Sequence, residues 1–263
     1  MRVLLTGGAS GLGAALLRAC LARGDRVTVI DRLPRPEPPE APEPALTWLR
    51  HDLGSTDPAA WAAVEAAVLE QGPFDLTLLN AGISATGRFE SIPMPDHLQV
   101  SRVNLHAPLR LSMALHRGGA LARGGRLVFV ASLSCFTGYP GAASYAASKD
   151  GLAAFARSLR KPLRREGVSV QLLCPGPMDT PHAARHAPLG ANPGRRILPE
   201  RVAQRVLTAS PRPFLLLCGP GAHLAATLGR IAPRTMTRIM GRVLFDRLKG
   251  PPPQPADTGS ERR

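Results

Sequence analysis

Aromatic side chains and cysteine are both scarce in this sequence, and their scarcity argues against several classes of protein. Aromatic residues make up 4% of the chain, too few for the stacking surfaces that bind single-stranded nucleic acid. The cysteines, Cys20, Cys135, Cys174 and Cys218, lie far apart and show no Cys-x-x-Cys spacing. We therefore expect free thiols in a reducing compartment, with neither a disulfide framework nor a metal site.

Long apolar segments are missing as well. No uncharged apolar run is long enough to span a bilayer. The N-terminal run MRVLLTGG has one arginine and is too short an apolar stretch for a secretory signal. Because a first strand is expected to begin at Arg2, no residues are left for targeting, and we expect a cytoplasmic protein.

Positive charge, by contrast, is abundant and comes almost entirely from arginine. The 33 Lys and Arg residues against 19 Asp and Glu give a formal net charge of +14. This balance invites a nucleic acid or an anionic membrane as partner, but a biased coding composition would explain it equally well. We expect no specific nucleic acid partner. With 263 residues, 44% of them hydrophobic, the chain can form a large domain with a real core.

The N-terminal region has the pattern of a nucleotide-binding unit. Apolar Val3 to Leu5 predicts a buried parallel strand, followed by a helix over Ala14 to Arg23 and a second strand over Arg26 to Ile30. Between the first strand and the helix lies TGGASGLG, whose glycines let the backbone approach a phosphate at the helix N-terminus. A glycine-rich turn alone could also be only a tight loop. The residues expected to bind a dinucleotide here are Thr6, Gly7, Ser10, Gly11, Leu12 and Gly13.

Asp31 ends the second strand and is the candidate for recognising a ribose. Its carboxylate can accept both hydroxyls of an adenosine ribose and would repel a 2′-phosphate, which favours NAD over NADP. Arg32 follows directly and could compensate for that repulsion, so both residues are expected at the cofactor.

Later strand ends are expected to complete the same edge. After a short strand over Leu46 to Arg50, Asp52 could bond an adenine amino group and Leu53 could pack on the ring, while a plain helix cap is the alternative for Asp52. A strand over Leu76 to Leu79 runs into Asn80-Ala81-Gly82, whose small residues let the backbone lie close to a ribose or nicotinamide.

Two more polar residues are expected near this edge. Asn104 should lie on a helix, where a buried amide needs partners or destabilises the fold; it is either a structural clamp or part of a proton path. A strand over Arg126 to Val130 delivers Ser132. Ligands of open parallel sheets bind at the carboxyl ends of the strands, so these side chains are expected to converge.

Tyr145 and Lys149 stand four positions apart and would share one helix face. A phenol has an unperturbed pKa of about 10, and a cation on the next turn favours its anion, making it a better acid or base at neutral pH. Tyr-x-x-x-Lys alone is a weak signal, because surface helix pairs also show it.

Taken together, these motifs resemble the short-chain dehydrogenase/reductase family over roughly residues 1 to 180, where YAASK and PGPMDT complete the set. The resemblance implies an α/β fold with a Rossmann-type doubly wound parallel sheet flanked by helices. It also implies NAD(P)-dependent hydride transfer between a nicotinamide and a secondary alcohol or ketone.

The resemblance further implies a role for each site residue. Tyr145 would be the catalytic acid/base, Ser132 would hold the substrate oxygen, and Asn104 would support a water relay. Lys149 would lower the pKa of Tyr145 and bind the nicotinamide ribose. The residues implied to line the nicotinamide are Pro175, Gly176 and Thr180.

We expect residues 1–221 to form the nucleotide-binding domain, with a disordered tail over 250–263. A substrate lid region is expected at 181–209, irregular over 181–197 and helical over 199–209. Residues 222–249 predict a basic amphipathic helical segment that Pro233 kinks or splits. This segment could close the domain's own pocket, pack on a partner subunit, or contact the inner membrane face peripherally. A homodimer or other homo-oligomer is expected.

Two other functions are compatible with the same fold. The first is a catalytically silent nucleotide-binding regulator, which should have lost Tyr145 or Lys149. The second is a basic membrane or nucleic-acid adaptor, in which charge would cluster away from the cofactor edge.

Overall fold

The computed structural model describes residues 1–36, 45–186, 194, 196–219 and 221–244. The sequence at 33–45 is rich in proline, which predicts an extended stretch in place of a helix. Most of this stretch, part of the predicted lid, and the predicted tail at 250–263 lie outside the described residues.

The centre of the fold is one seven-stranded parallel sheet with the strand order β3-β2-β1-β4-β5-β6-β7. The strands are β1 (Arg2–Thr6), β2 (Arg26–Asp31), β3 (Leu46–Arg50), β4 (Phe74–Leu79), β5 (Leu121–Val130), β6 (Ser169–Pro175) and β7 (Leu215–Cys218). The chain winds outward from β1 in both directions, so the predicted doubly wound fold is confirmed.

Helices connect the strands and cover both faces of the sheet. They are α1 (Gly11–Ala22), α2 (Pro58–Gln71), α3 (Met94–Ser101), α4 (Ala107–Arg117), α5 (Ser134–Thr137), α6 (Ala143–Arg165), α7 (Pro181–Arg185), α8 (Pro199–Thr208), α9 (Ala222–Ile231) and α10 (Pro233–Leu244). Short 3₁₀ helices occur at Phe89–Ser91 and Pro140–Ala142. Within the described ranges, no helix is both long and apolar enough to cross a membrane.

Several predicted boundaries were wrong. Helix α1 begins at Gly11, because Ser10 is already its N-cap residue. Strand β5 begins at Leu121, which pairs with Phe74 of β4. The region after residue 181 is not wholly irregular, since Thr180 caps the short helix α7 with its side chain.

The core lies on both faces of the sheet, because alternate residues of each strand point to opposite sides. On one face, Leu4 and Phe129 pack with residues of α2, α4 and α6. On the other face, Val3 and Val128 pack with residues of α1 and α8. Burial on both sides explains the continuous apolar runs seen in the sequence.

Substitution of Phe129 measures how much this core contributes to stability at β5, the strand that leads to Ser132. Its ring is fully buried and meets Phe155 edge-on, with ring centroids 5.8 Å apart. Phe129→Ala should lower the free energy of unfolding by about 3–5 kcal/mol, because it removes this contact and leaves a cavity. Urea denaturation measures the loss. The matched control is Phe89→Ala, since Phe89 is 66% exposed; equal losses in the two variants would contradict this account.

Candidate active site

A cavity of about 760 Å³ opens where β1, β2, β4, β5 and β6 end. Nearly all of the predicted cofactor and catalytic residues line it. They are Gly7, Ser10, Gly11, Leu12, Gly13, Asp31, Arg32, Asp52, Leu53, Asn80, Ala81, Gly82, Ser132, Tyr145, Lys149, Pro175, Gly176 and Thr180. The sheet therefore brings together residues that are up to 173 positions apart, from Gly7 to Thr180.

Glycine is required at two points of the turn after β1. Gly7 has φ +73°, and a Cβ there would lie 2.9 Å from Cα of Ala81. A Cβ on Gly13 would lie 1.6 Å from the carbonyl oxygen of Gly7. The turn and the start of α1 thus approach each other too closely for any side chain. The start of α1 lines the cavity at Ser10 to Gly13, and a helix N-terminus is a favourable position for a phosphate.

Thr6 does not line this cavity, although it was predicted to contact the cofactor. It is buried, and its hydroxyl accepts hydrogen bonds from the backbone N–H groups of Asn80 (2.9 Å) and Ala81 (3.0 Å). In return, the Asn80 side-chain amide donates to the carbonyl oxygens of Thr6 and Gly7, both at 3.0 Å. Thr6 therefore joins the ends of β1 and β4 and positions the turn.

The Asp31 carboxylate accepts hydrogen bonds from two loops at the cavity wall, the turn after β1 and the segment after β2. One carboxylate oxygen accepts from the backbone N–H of Ala9 at 2.9 Å, and the other accepts from that of Leu33 at 3.0 Å. Each carboxylate oxygen can accept more than one hydrogen bond, so capacity remains for a ligand hydroxyl. The exposed Arg32 follows on the cavity wall.

Asp52 does not cap a helix, so that alternative was wrong. It accepts a hydrogen bond from the backbone N–H of Gly54 at 2.8 Å, within a turn. The N-cap of α2 is Asp57, which accepts from the N–H of Ala59 at 2.8 Å.

Asn104 is a fully buried clamp. It lies in a π-helical turn (Arg102–His106) between α3 and α4, an irregularity that is frequent at functional sites. Its carbonyl oxygen accepts from Ile83 N–H at 2.9 Å, while its amide donates to the Ile83 carbonyl at 2.9 Å and to the Ser148 hydroxyl at 3.0 Å. The structure therefore supports the clamp, and a role in a proton path stays a prediction.

Ser132, Tyr145 and Lys149 meet in the cavity. The Ser132 hydroxyl lies close enough to the Tyr145 phenol to lower the pKa of that phenol. Lys149 Nζ donates to the carbonyl oxygen of Val130 at 2.8 Å and lies 5.8 Å from the centre of the Tyr145 ring. A Cβ on Gly82 would lie 3.2 Å from Lys149 Nζ, so glycine at this position leaves the ammonium more room.

The electrostatics of this trio differ from the expectation that Lys149 lowers the phenol pKa. Burial raises the pKa of Tyr145, and the neighbouring Ser132 hydroxyl offsets this only in part. Burial also lowers the pKa of Lys149 to about 8. Loss of hydration disfavours the charged form of each group, so Tyr145 holds its proton at neutral pH.

Two histidines of the predicted lid region, His182 and His186, are further functional candidates that the sequence analysis did not single out. Both line the cavity from α7 and the residue after it: His182 Nε2 bonds the Ser84 hydroxyl at 3.1 Å, and His186 Nδ1 bonds the Thr86 hydroxyl at 2.9 Å. Burial, with nearby His186 and Arg185, lowers the pKa of His182 to about 4. The four-residue spacing of the two histidines was the available signal.

The C-terminal segment also reaches the cavity. Ala225 of α9 and Met236 and Met240 of α10 line it, so the segment covers the pocket of its own domain. The predicted break is confirmed, because α9 ends at Ile231 and Pro233 begins α10. Among the residues described, no cluster of three or more His, Cys, Asp or Glu side chains is suited to a metal ion.

A parallel sheet with a phosphate-binding turn, and a serine, tyrosine and lysine set facing the same cavity, define a dinucleotide-dependent enzyme. The family model described as short chain dehydrogenase matches residues 1–188. The chain belongs to the short-chain dehydrogenase/reductase family, whose members are NAD(P)-dependent oxidoreductases acting on alcohol and ketone groups.

Individual relatives agree with this assignment. The 3-oxoacyl-[acyl-carrier-protein] reductase MabA of Mycobacterium tuberculosis is 29% identical over 244 residues, covering 92% of this chain and 89% of the relative. The 1-deoxy-11-beta-hydroxypentalenate dehydrogenase of Streptomyces exfoliatus is 34% identical over 220 residues, covering 78% of both. The crystal structure of BdcA in complex with NADPH is 26% identical, with a TM-score of 0.68 over 84% of this chain and 93% of that chain.

The lowered pKa of Lys149 predicts a pH dependence of stability. Between pH about 8 and the ordinary lysine pKa of 10.5, the unfolded chain binds a proton that the folded chain does not, so stability should rise with pH in that window. Relative to Lys149→Met, the native protein should therefore gain unfolding free energy from pH 8 to 10.5, measured by urea denaturation without cofactor. The exposed Lys161→Met serves as control. If the difference in unfolding free energy between the native protein and Lys149→Met stays constant across the window, a perturbed Lys149 is ruled out.

Proposed function

We propose that the protein interconverts a ketone and a secondary alcohol, with Tyr145 as the group that exchanges the proton with the substrate oxygen. The observation that carries this proposal is that Ser132, Tyr145 and Lys149 line one cavity, with the Ser132 hydroxyl close to the Tyr145 phenol. This arrangement brings two hydroxyl groups to one point, where a single carbonyl oxygen could accept from both.

The cavity suits an NAD(P) cofactor, because the turn formed by Gly7 and Gly13 excludes side chains and presents its backbone. When bound, the nicotinamide donates or accepts the hydride. Asp31 would hold the adenosine ribose and Lys149 the nicotinamide ribose, while Pro175, Gly176 and Thr180 would line the nicotinamide.

The protein's own residues would handle the proton. In the reducing direction, Tyr145 donates its proton to the carbonyl oxygen while the Ser132 hydroxyl donates a hydrogen bond to the same atom. The ammonium of Lys149 then stabilises the phenolate that remains. Asn104 keeps the loop at Ile83 and helix α6 in register and would support return of a proton by way of Lys149.

The raised pKa of Tyr145 favours the acid role. A phenol that stays protonated at neutral pH is ready to donate, so we infer that carbonyl reduction is the direction best served. Among the relatives, MabA is named a reductase. A silent regulator would have no need to keep Ser132, Tyr145 and Lys149 facing one cavity.

We further propose a preference for NAD over NADP, which rests on Asp31. This residue is 8% exposed and faces the cavity at the end of β2, without an opposing cation bonded to it among the described contacts. A 2′-phosphate beside it would meet like charge. The BdcA structure contains NADPH, so Asp31 is the feature of this chain that argues for NAD. A homo-oligomeric state and a cytoplasmic location stay predictions.

Tyr145→Phe should lower kcat by roughly 10²–10⁴-fold, the usual size of a general acid contribution, while the dissociation constant of the cofactor changes little. Turnover is measured as nicotinamide absorbance change on a panel of ketones and alcohols, and cofactor binding by calorimetry. The matched control is Tyr139→Phe, which removes the other tyrosine hydroxyl from the same cavity and should retain most turnover. Full activity of Tyr145→Phe would refute the mechanism.

Asp31→Asn should shift the ratio of the NADP and NAD dissociation constants towards NADP by roughly tenfold, which corresponds to about 1.4 kcal/mol. Removing the carboxylate charge relieves repulsion of a 2′-phosphate while keeping the side-chain volume. Titration of both cofactors measures the ratio. Asp52→Asn removes one charge elsewhere on the cavity wall and should leave the ratio unchanged; an equal shift in both variants would show that Asp31 does not read the ribose.

A further inference from the structure

Helix α9 carries an apolar stripe on its outer face. Leu224, Leu228 and Ile231 are 63%, 42% and 76% exposed. Their spacing of four and three positions puts them on one face of the helix. The buried residues on the opposite face are Ala222, Ala226 and Gly229. Three large apolar side chains therefore point away from the domain, which is an arrangement that usually marks an interaction site.

Helix α10 carries a row of arginines on its outer face. Arg234, Arg238 and Arg242 follow each other at intervals of four and are exposed, and Ile239 beside them is 47% exposed. Met236 and Met240 point the other way, into the cavity. One side of α10 thus forms the cavity wall, and the other side presents positive charge next to the apolar stripe of α9.

The charge of this surface has one sign only. Residues 222–244 contain Arg230, Arg234, Arg238 and Arg242 and no Asp or Glu. Arg230 packs over the ring of Phe136 at 4.6 Å, so it is anchored to its own domain. No ion pair involves the other three arginines among the described contacts. An anionic partner is the one that complements them.

The arginines of α10 and the exposed apolar side chains of α9 together favour one of three possible partners: a second copy of the chain, a nucleic acid or an anionic bilayer. A second copy joined about a twofold axis at α9 and α10 would bring arginines against arginines, because residues 222–244 include no acidic residue. A nucleic acid would pair with the arginines but would leave Leu224 and Ile231 against a polar phosphate backbone. An anionic bilayer complements both the arginine row and the apolar stripe, since its headgroups attract arginine and its acyl region accepts apolar side chains.

We propose that the outer faces of α9 and α10 form a docking surface for an anionic bilayer. The apolar stripe of Leu224, Leu228 and Ile231 enters the headgroup–acyl boundary, and the arginine row of α10 lies on the headgroups. The surface adjoins the cavity, because Met236 and Met240 of the same helix form part of its wall. This inference does not depend on the proposed function.

The test is flotation of the full chain with two kinds of vesicle, phosphatidylcholine alone and phosphatidylcholine mixed with phosphatidylglycerol. The protein should float with the anionic vesicles only, and raised salt should weaken binding because it screens the arginines. The triple variant R234E/R238E/R242E should lower the partition coefficient by roughly tenfold or more, given the usual contribution of each basic residue at such a surface. Separately, L224S/I231S should also weaken binding, because it removes the apolar part.

The matched control is R117E/R165E/R201E, which reverses the same number of exposed arginines on α4, α6 and α8 and should still float. Circular dichroism and thermal unfolding check that each variant is folded. Equal binding to neutral vesicles, equal loss in the control, or no flotation of the native chain would overturn the proposal. So would light scattering in which L224S/I231S converts a dimer into a monomer without any vesicle binding, since the stripe would then join two copies.

Discussion

The buried side chain of Asn104 is the contact on which the geometry of the site depends. Three parts of the chain with no sequence continuity meet there: the π-helical turn that carries Asn104, the loop at Ile83 after β4, and Ser148 on α6. Both the amide and the carbonyl of Asn104 are satisfied, so its burial adds no unpaired polar group. Because Ser148 directly precedes Lys149, this clamp also sets the position of the lysine relative to the cofactor turn.

A second bond completes the positioning. Lys149 Nζ donates to the carbonyl oxygen of Val130, the last residue of β5, two positions before Ser132. Helix α6 is thereby tied to the strand end that presents the serine, and Tyr145 on the same helix reaches the Ser132 hydroxyl. The buried environment that makes this bond strong also withdraws water from both ionisable groups. The same packing therefore produces both the geometry and the shifted pKa values.

Local pattern was sufficient to predict the parts of the site that depend on short spacing. The glycine turn, Asp31 at a strand end, and Tyr145 four positions before Lys149 could all be found because helix and strand periodicity determine their direction. Features that depend on residues distant in the sequence could not be predicted in this way. Thr6 lies away from the cavity because its hydroxyl accepts hydrogen bonds from the backbone N–H groups of Asn80 and Ala81. The predicted direction of the Tyr145 pKa shift was wrong, because burial of the phenol depends on the tertiary structure. Likewise, the two lid histidines gain their hydroxyl partners only through the fold.

The C-terminal segment shows why an amphipathic pattern alone leaves function open. Its sequence is compatible with closing the pocket and with facing an external partner, which are alternative interpretations of the same amphipathic pattern. In the structure one helix has both kinds of face: Met236 and Met240 line the cavity, while Arg234, Arg238 and Arg242 are exposed. The break at Pro233 divides the segment into two helices. Helix α9 can therefore expose an apolar stripe while α10 exposes a basic one. In a single straight helix the 3.6-residue period would fix the direction of one stripe relative to the other. The outer face of α10 therefore lies about one helix diameter from the cavity wall, so any contact made there is made by a helix that also lines the cavity.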